Sequence, residues 1–246
     1  MRIFFVTSKL KGKDTASGSV IELDYMMREL VRLGNSVTAV TVYSRYNDLT
    51  EETPYKVRTE HVTTPRLIPA QWAVYKILRK HEADADIFHI DGQYIHGAGL
   101  YRLLGGRRPL LAYLIRPPLI KEEYVSWFFE KRYGSKHVSV GGILRSIKKA
   151  VRYCIERFIF TPILANRVDY VSCLNPLLLK EHRDFGLRRA DYGLIIGDTY
   201  PMDSIMHKAG ITTERYRKHT GKNEKVTLYC SGRMAPGKGY DLLLEA

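Results

Sequence analysis

The run RIFFVTSKLKGKDTASGSVIELDYMMRELVRLGNSVTAVTVY, residues 2–43, sets the architecture. Its opening, Arg2 to Thr7, is almost continuously apolar. A strand buried on both faces of a parallel sheet needs that pattern, because helices cover each side of it. A polar loop from Ser8 to Ser19 follows, carrying Gly12, Gly18 and the lysines Lys9, Lys11 and Lys13. Then Val20, Leu23, Met27, Leu30 and Val31 recur at helical spacing, and the pattern stops near Gly34. Val37 to Tyr43 is a second strand by its β-branched content. A strand, a glycine-bearing loop, a helix and a second strand make a right-handed βαβ unit, the opening of a doubly wound α/β fold. The G-x-G-x-x-G fingerprint is missing from the loop, which argues against an NAD-dependent enzyme.

The same alternation continues. Strands are expected at 56–63, 86–90, 109–115, 168–174 and 192–197, with helices over 71–80, 93–104 and 176–185. Asp91, Gly92 and Gln93 follow the strand DIFHI, at the carboxyl end where open α/β sheets take their ligands. Arg116 stands at the tip of PLLAYLI, because Pro117 and Pro118 keep a helix from starting at once. A long helix after Gly141-Gly142 has an apolar stripe of Ile143, Ile147, Ala150, Val151, Cys154, Ile155 and Phe158. Arg145, Lys148, Lys149 and Arg152 occupy its other side, with Glu156. The stripe is expected to pack on the sheet, which would leave the cations, with Trp127 and Phe128 nearby, as a surface that attracts anionic lipid; insertion of the stripe itself into a membrane is the other reading.

Composition narrows the partners. The 246 residues are 45% hydrophobic and 26% charged, which is a globular composition. A net charge of +13 points to an acidic partner: nucleic acid, anionic lipid or a phosphorylated substrate. No nucleic-acid-binding motif accompanies the charge, so a nucleic acid is not the expected partner. Cys154, Cys173 and Cys230 are far apart and sit in apolar runs, as buried thiols of a reducing, cytoplasmic compartment would. No apolar stretch approaches a membrane span. The histidines and cysteines lack metal-ligand spacing, so no metal or other cofactor is expected. Neither a G-x-S-x-G elbow nor a Walker A loop is present.

Residues 225–246 read KVTLYCSGRMAPGKGYDLLLEA: a strand at Val226–Cys230, a turn holding Gly232, Pro236, Gly237 and Gly239, and a helix start. Such a turn presents backbone N–H groups and a helix dipole to an anion, and Arg233 and Lys238 lie within it. A plain βα turn with solvated cations is the other reading of the same residues.

The order of the parts resembles the GT-B glycosyltransferases, specifically family 4. There the second domain opens with a strand, a Gly-Arg, and a lysine before glycine at a helix head. Gly232-Arg233, Lys238-Gly239 and DLLLEA (241–246) match in order and spacing. Ser17-Gly18-Ser19 corresponds to the family's Gly-Gly in the first loop, DIFHID (86–91) to its D-x-x-H-x-H, and VDYVSCLN (168–175) to its strand ending in serine. The resemblance implies a Rossmann-like acceptor-binding domain over 1–198, a linker over 199–224, and the start of a nucleotide-sugar-binding domain over 225–246, a strand–helix stub. It implies a retaining transferase moving a sugar from a nucleotide-sugar to an acceptor, lipid-linked or anionic, at the inner membrane surface. Gly18, Arg233 and Lys238 would hold the donor diphosphate, and Ser17, Asp91 and Gln93 the acceptor. Many members carry a histidine at the tip of the strand matching PLLAYLI. Ile115-Arg116 stands here instead, leaving Arg116 as the candidate for an electrostatic role in catalysis. The base-binding part and the family's E-x7-E motif are not within these residues, so by themselves they are expected to be inactive. The alternative is a non-catalytic sugar- or lipid-binding module that works with a separate donor-domain chain or with a second copy.

Overall fold

The computed structural model describes residues 1–8, 10, 18–42, 52–60, 67–115 and 140–195. β1 (Arg2–Thr7) is buried at every position after Arg2, so its burial does not alternate and both of its faces are covered. It pairs in parallel with β2 (Ser36–Thr41) on one side and with β4 (Ile87–Asp91) on the other. β3 (Lys56–Thr59) lies outside β2. β5 (Leu110–Leu114), β6 (Tyr170–Cys173) and β7 (Leu194–Ile195) extend the other edge, each parallel to its neighbour. The order β3-β2-β1-β4-β5-β6-β7 makes this a doubly wound, Rossmann-like sheet, as the opening βαβ pattern implied. The sequence-predicted strands of residues 1–198 all occur, with shifted ends. β7 starts later than residue 192 because Arg188–Tyr192 closes into a 3-10 turn.

Parity along the strands divides the core in two. Phe4, Val6, Val40, Phe88, Ile90, Leu110 and Ala112 face α2 (Leu67–Lys80) and α3 (Ile95–Leu103), which contribute Val74, Ile77, Leu78, Ala98 and Tyr101. Ile3, Phe5, Val37 and Ala39 meet Leu23 and Met27 of α1 (Gly18–Arg32) on the opposite face. α1 ends at Gly34, whose φ of 84° is a left-handed value that glycine adopts without steric cost. Gln71 of α2 ties the other layer together. Its amide nitrogen donates to Gln93 O at 2.7 Å, and its amide oxygen accepts from Gly97 N at 2.6 Å.

One expectation is overturned. α4 (Val140–Ile155) does not turn its apolar stripe to the sheet: Ile147 is 54% exposed, Val151 52% and Phe158 65%. Tyr153 instead meets Phe185, with ring centroids 5.6 Å apart, and Phe160 meets His96, also at 5.6 Å. Glu156 is buried, holding Arg152 at 2.8 Å. The side carrying these contacts is therefore the inner one. The helix runs on as a π turn over Glu156–Phe160, where the Thr161 N–H donates to Glu156 O. A short α turn, Thr161–Ile163, follows, with Pro162 near its start where a missing N–H is tolerated. Cys154 is exposed with the stripe, against expectation, while Cys173 is buried and its thiol is pushed up to about 12 by desolvation. α5 (Pro176–Asp184) starts where expected: Asn175 Oδ1 accepts from Leu178 N at 2.8 Å and Pro176 takes the first helical position.

The chain divides into Met1–Tyr200 and Pro201–Ala246. The second part, with the linker and the stub at 225–246, lies outside the described residues. Among the described residues no helix is long and apolar enough to cross a membrane.

Gly99 lets α3 approach the chain after the π turn: a Cβ there would run into the Leu164 carbonyl, which is backbone and cannot swing aside. Gly99→Ala is therefore expected to cost about 1–3 kcal/mol of stability. Urea unfolding checks this, and an unchanged midpoint would contradict the packing.

Candidate functional site

Doubly wound sheets open a crevice where the chain reverses its direction of winding, at the carboxyl ends of the strands on either side. Here that point lies between β1 and β4. After β1 the next helix, α1, begins at Gly18. A helix start at this edge offers unpaired backbone N–H groups and a positive dipole end. β4 ends at Asp91, and a 3-10 turn over Gly92–Tyr94 follows immediately. Asp91 caps that turn. Its carboxylate accepts from Gln93 Nε2 at 2.7 Å and from Gln93 N at 3.4 Å. Gly92 packs tightly below: a Cβ on it would lie 2.8 Å from Tyr113 O.

Of the expected site residues, the structure brings Asp91 and Gln93 together and sets Gly18 at the head of α1 on the neighbouring strand's side. Gln93 is exposed and Asp91 half-buried. Ser17, Arg116, Arg233 and Lys238 lie outside the described residues.

Beneath the crevice runs a polar group that the strand patterns did not single out. Glu22, in the second turn of α1, is 2% exposed. Its carboxylate accepts a short hydrogen bond from the Tyr113 hydroxyl of β5. His89 of β4 stacks on Phe5 at 4.3 Å and lies 5.8 Å from the Tyr113 ring. Its Nε2 is buried with no partner among the described residues, as is Ser172 Oγ. Register places these residues on one sheet face, since Phe5 pairs with His89, Asp91 with Tyr113, and Tyr113 with Ser172. The signal was present as single polar residues inside apolar runs, but only the register shows that they share a face. A second polar tie holds the other flank of α1. The Tyr55 hydroxyl donates to Asp24 at 2.6 Å, and Arg28 Nε donates to the same carboxylate at 3.0 Å. Burial, then Asp24, raises the Tyr55 pKa and keeps the phenol neutral. Among the described residues no three His, Cys, Asp or Glu side chains gather where they could hold a metal ion.

No protein-family model matches the chain, and no curated protein does. Solved structures similar to it include a glycosyltransferase from Rickettsia africae, at TM-score 0.49 and 14% identity, covering 99% of this chain and 56% of that one. Another is HepE from Anabaena in complex with UDP and glucose, at TM-score 0.45 and 14% identity, covering 85% of this chain and 50% of that one. A UGT transferase from Siraitia grosvenorii in complex with UDP gives TM-score 0.42 and 10% identity, covering 84% and 54%. The chain spans about half the length of each. At TM-scores this low the likeness is partial, and nothing about this chain's ligands follows from it.

Desolvation lowers the pKa of His89 from 6.5 to about 4, and desolvation with the Arg152 charge does the same for His96. Both are neutral in the fold. Below pH 6.5 the unfolded chain takes up protons that the native state refuses. Stability is therefore full above that pH, falls as pH drops toward 4, and levels off below, by up to ~3 kcal/mol per histidine. Urea unfolding at successive pH values is expected to show this decline, with His89→Leu removing about half of it. A flat profile across that window would show that the imidazoles are not held neutral.

Proposed function

We propose that these residues are the acceptor-side half of a retaining GT-B glycosyltransferase of the family-4 kind, joined to the opening of its donor domain. The observation that carries the reading is the crevice at the switch point, with α1 beginning at Gly18 beside β1 and the Asp91–Gln93 turn ending β4. Supporting it, Gly232-Arg233 and Lys238-Gly239 follow in the order the family uses.

In this reading the donor is a nucleotide-sugar and the sugar passes to an acceptor hydroxyl with retention at the anomeric carbon. The bond between that carbon and the diphosphate breaks, and negative charge grows on the leaving diphosphate. Fixed positive charge from Arg233 and Lys238, with backbone N–H groups at Gly18, offsets that charge without a metal ion or other cofactor. Ser17, Asp91 and Gln93 bind the acceptor, the Asp91 carboxylate accepting from a sugar hydroxyl. Arg116 adds positive charge at the end of β5. The net charge of +13 suits an anionic or lipid-linked acceptor met at the cytoplasmic membrane surface.

Transfer from a panel of nucleotide-sugars tests this. In the protein expressed from its full reading frame, Arg233→Ala and Lys238→Ala are each expected to lower kcat/KM by about 10²–10³-fold with unchanged melting. Asp91→Asn is expected to raise the acceptor KM more than it lowers kcat. Residues 1–246 alone are expected to show little or no turnover. Robust turnover by those residues alone, or unchanged kinetics in both cation variants, would overturn the assignment. If the full protein binds a sugar or lipid but transfers nothing, the binding module acting with a separate donor chain takes its place.

A further inference from the structure

α4 and the π turn after it are mounted with their polar side inward. Tyr153 and Phe160 contact Phe185 and His96, and Glu156 is buried on the same side. Ile147, Val151, Cys154, Ile155, Phe158 and Ile159 face away from it and are exposed. A water-facing helix normally carries the opposite pattern, and an apolar patch of this kind marks a surface that something covers. The outward face extends to Ile163, which is 48% exposed. At helical rise that is a strip about 20 Å long, enough to lie along a bilayer but not to cross it.

Charge says what covers it. Between residues 140 and 163 the sequence has five cations, Arg145, Lys148, Lys149, Arg152 and Arg157, and one acid, Glu156. That acid is 3% exposed and bonded to Arg152, so it shows no negative charge to the outside. Lys148 is exposed beside the strip. Arg157 lies over the rings of Tyr153 and Phe158 at 5.6 and 5.5 Å, a cation carried on aromatic faces at the edge of the apolar surface. Apolar side chains with Lys148 and Arg157 beside them, and the single acid withdrawn, complement the acyl boundary and the phosphates of an anionic bilayer.

We infer that the outward face of residues 147–163 docks on an anionic lipid surface, α4 lying in the membrane plane with its apolar strip in the headgroup–acyl boundary. This names the element behind the peripheral association proposed above. It does not depend on the transfer reaction, and its test uses no nucleotide-sugar, so the two readings fail separately.

Flotation of the full protein with phosphatidylcholine vesicles, alone and with about 30% phosphatidylglycerol, tests it. Binding is expected only with the anionic lipid, and is expected to weaken at roughly 0.5 M salt. Val151→Asp with Phe158→Asp is expected to weaken binding at least about tenfold, and Lys148→Glu severalfold, with circular dichroism and melting unchanged. Absence of flotation, or wild-type binding by both variants, overturns the inference. So does a dimer in light scattering that the double variant converts to monomer without altering flotation, since a second copy would then cover the face. A large loss of melting temperature in the double variant together with wild-type flotation by Lys148→Glu also overturns it, since the chain itself would then cover the strip.

Discussion

A buried carboxylate must be hydrogen-bonded, and Glu22 meets that demand through Tyr113. The bond joins the second turn of α1 to β5, two strands across the sheet from β1. α1 itself packs over β1 and β2, so the bond ties the start of the helix toward the β4–β5 side of the switch point. On its other flank Asp24 binds Tyr55 ahead of β3. α1 is thus fixed at two buried points with apolar contacts between them. These ties hold the head of α1 at the crevice, and any ligand bound there gains from groups already in place.

The polar group beneath the crevice comes at some expense in stability. His89 sits on the α1 side of β4 with an unpartnered Nε2 and an imidazole held neutral. A leucine at that place would satisfy the core better. Proteins keep such groups mostly where a site needs polarity or a hydrogen-bond network nearby. His89, Tyr113 and Glu22 form one polar group on this face, and Asp91 lies next to Tyr113 in register at the crevice edge. The opposite layer has buried polar groups too, but Gln71 and His81 there are tied by hydrogen bonds to Gln93 O and Gly97 N and to Arg58 and Glu60.

The sheet was legible because its demands are local. A strand buried on both faces needs an apolar run, and RIFFVT, VTAVTVY, DIFHI and PLLAYLI each advertise one. The parallel order followed from alternation with helices, and the Asp91 turn from its place at a strand end. What was not legible needs register. Glu22, His89, Tyr113 and Ser172 are scattered over some 150 residues, each a lone polar position in an apolar pattern. Nothing in a single run says that they meet. Arg116, Arg233 and Lys238 remain readings of the sequence alone.

The misjudged helix shows a different limit. Periodicity states that α4 has an apolar side and a basic side, and that much holds. It does not state which side the protein keeps. The usual inference, apolar side inward, assumes that water is the only alternative solvent. Glu156 reverses it: an acid between cations is placed inside with Arg152, and Tyr153 and Phe160 supply the inner contacts around it. With those contacts made, rotating the strip inward would break the Tyr153 and Phe160 contacts and move Glu156 with them to the water side. The outward stripe is thus a consequence of satisfied inner contacts, and it leaves an apolar surface that something else can cover.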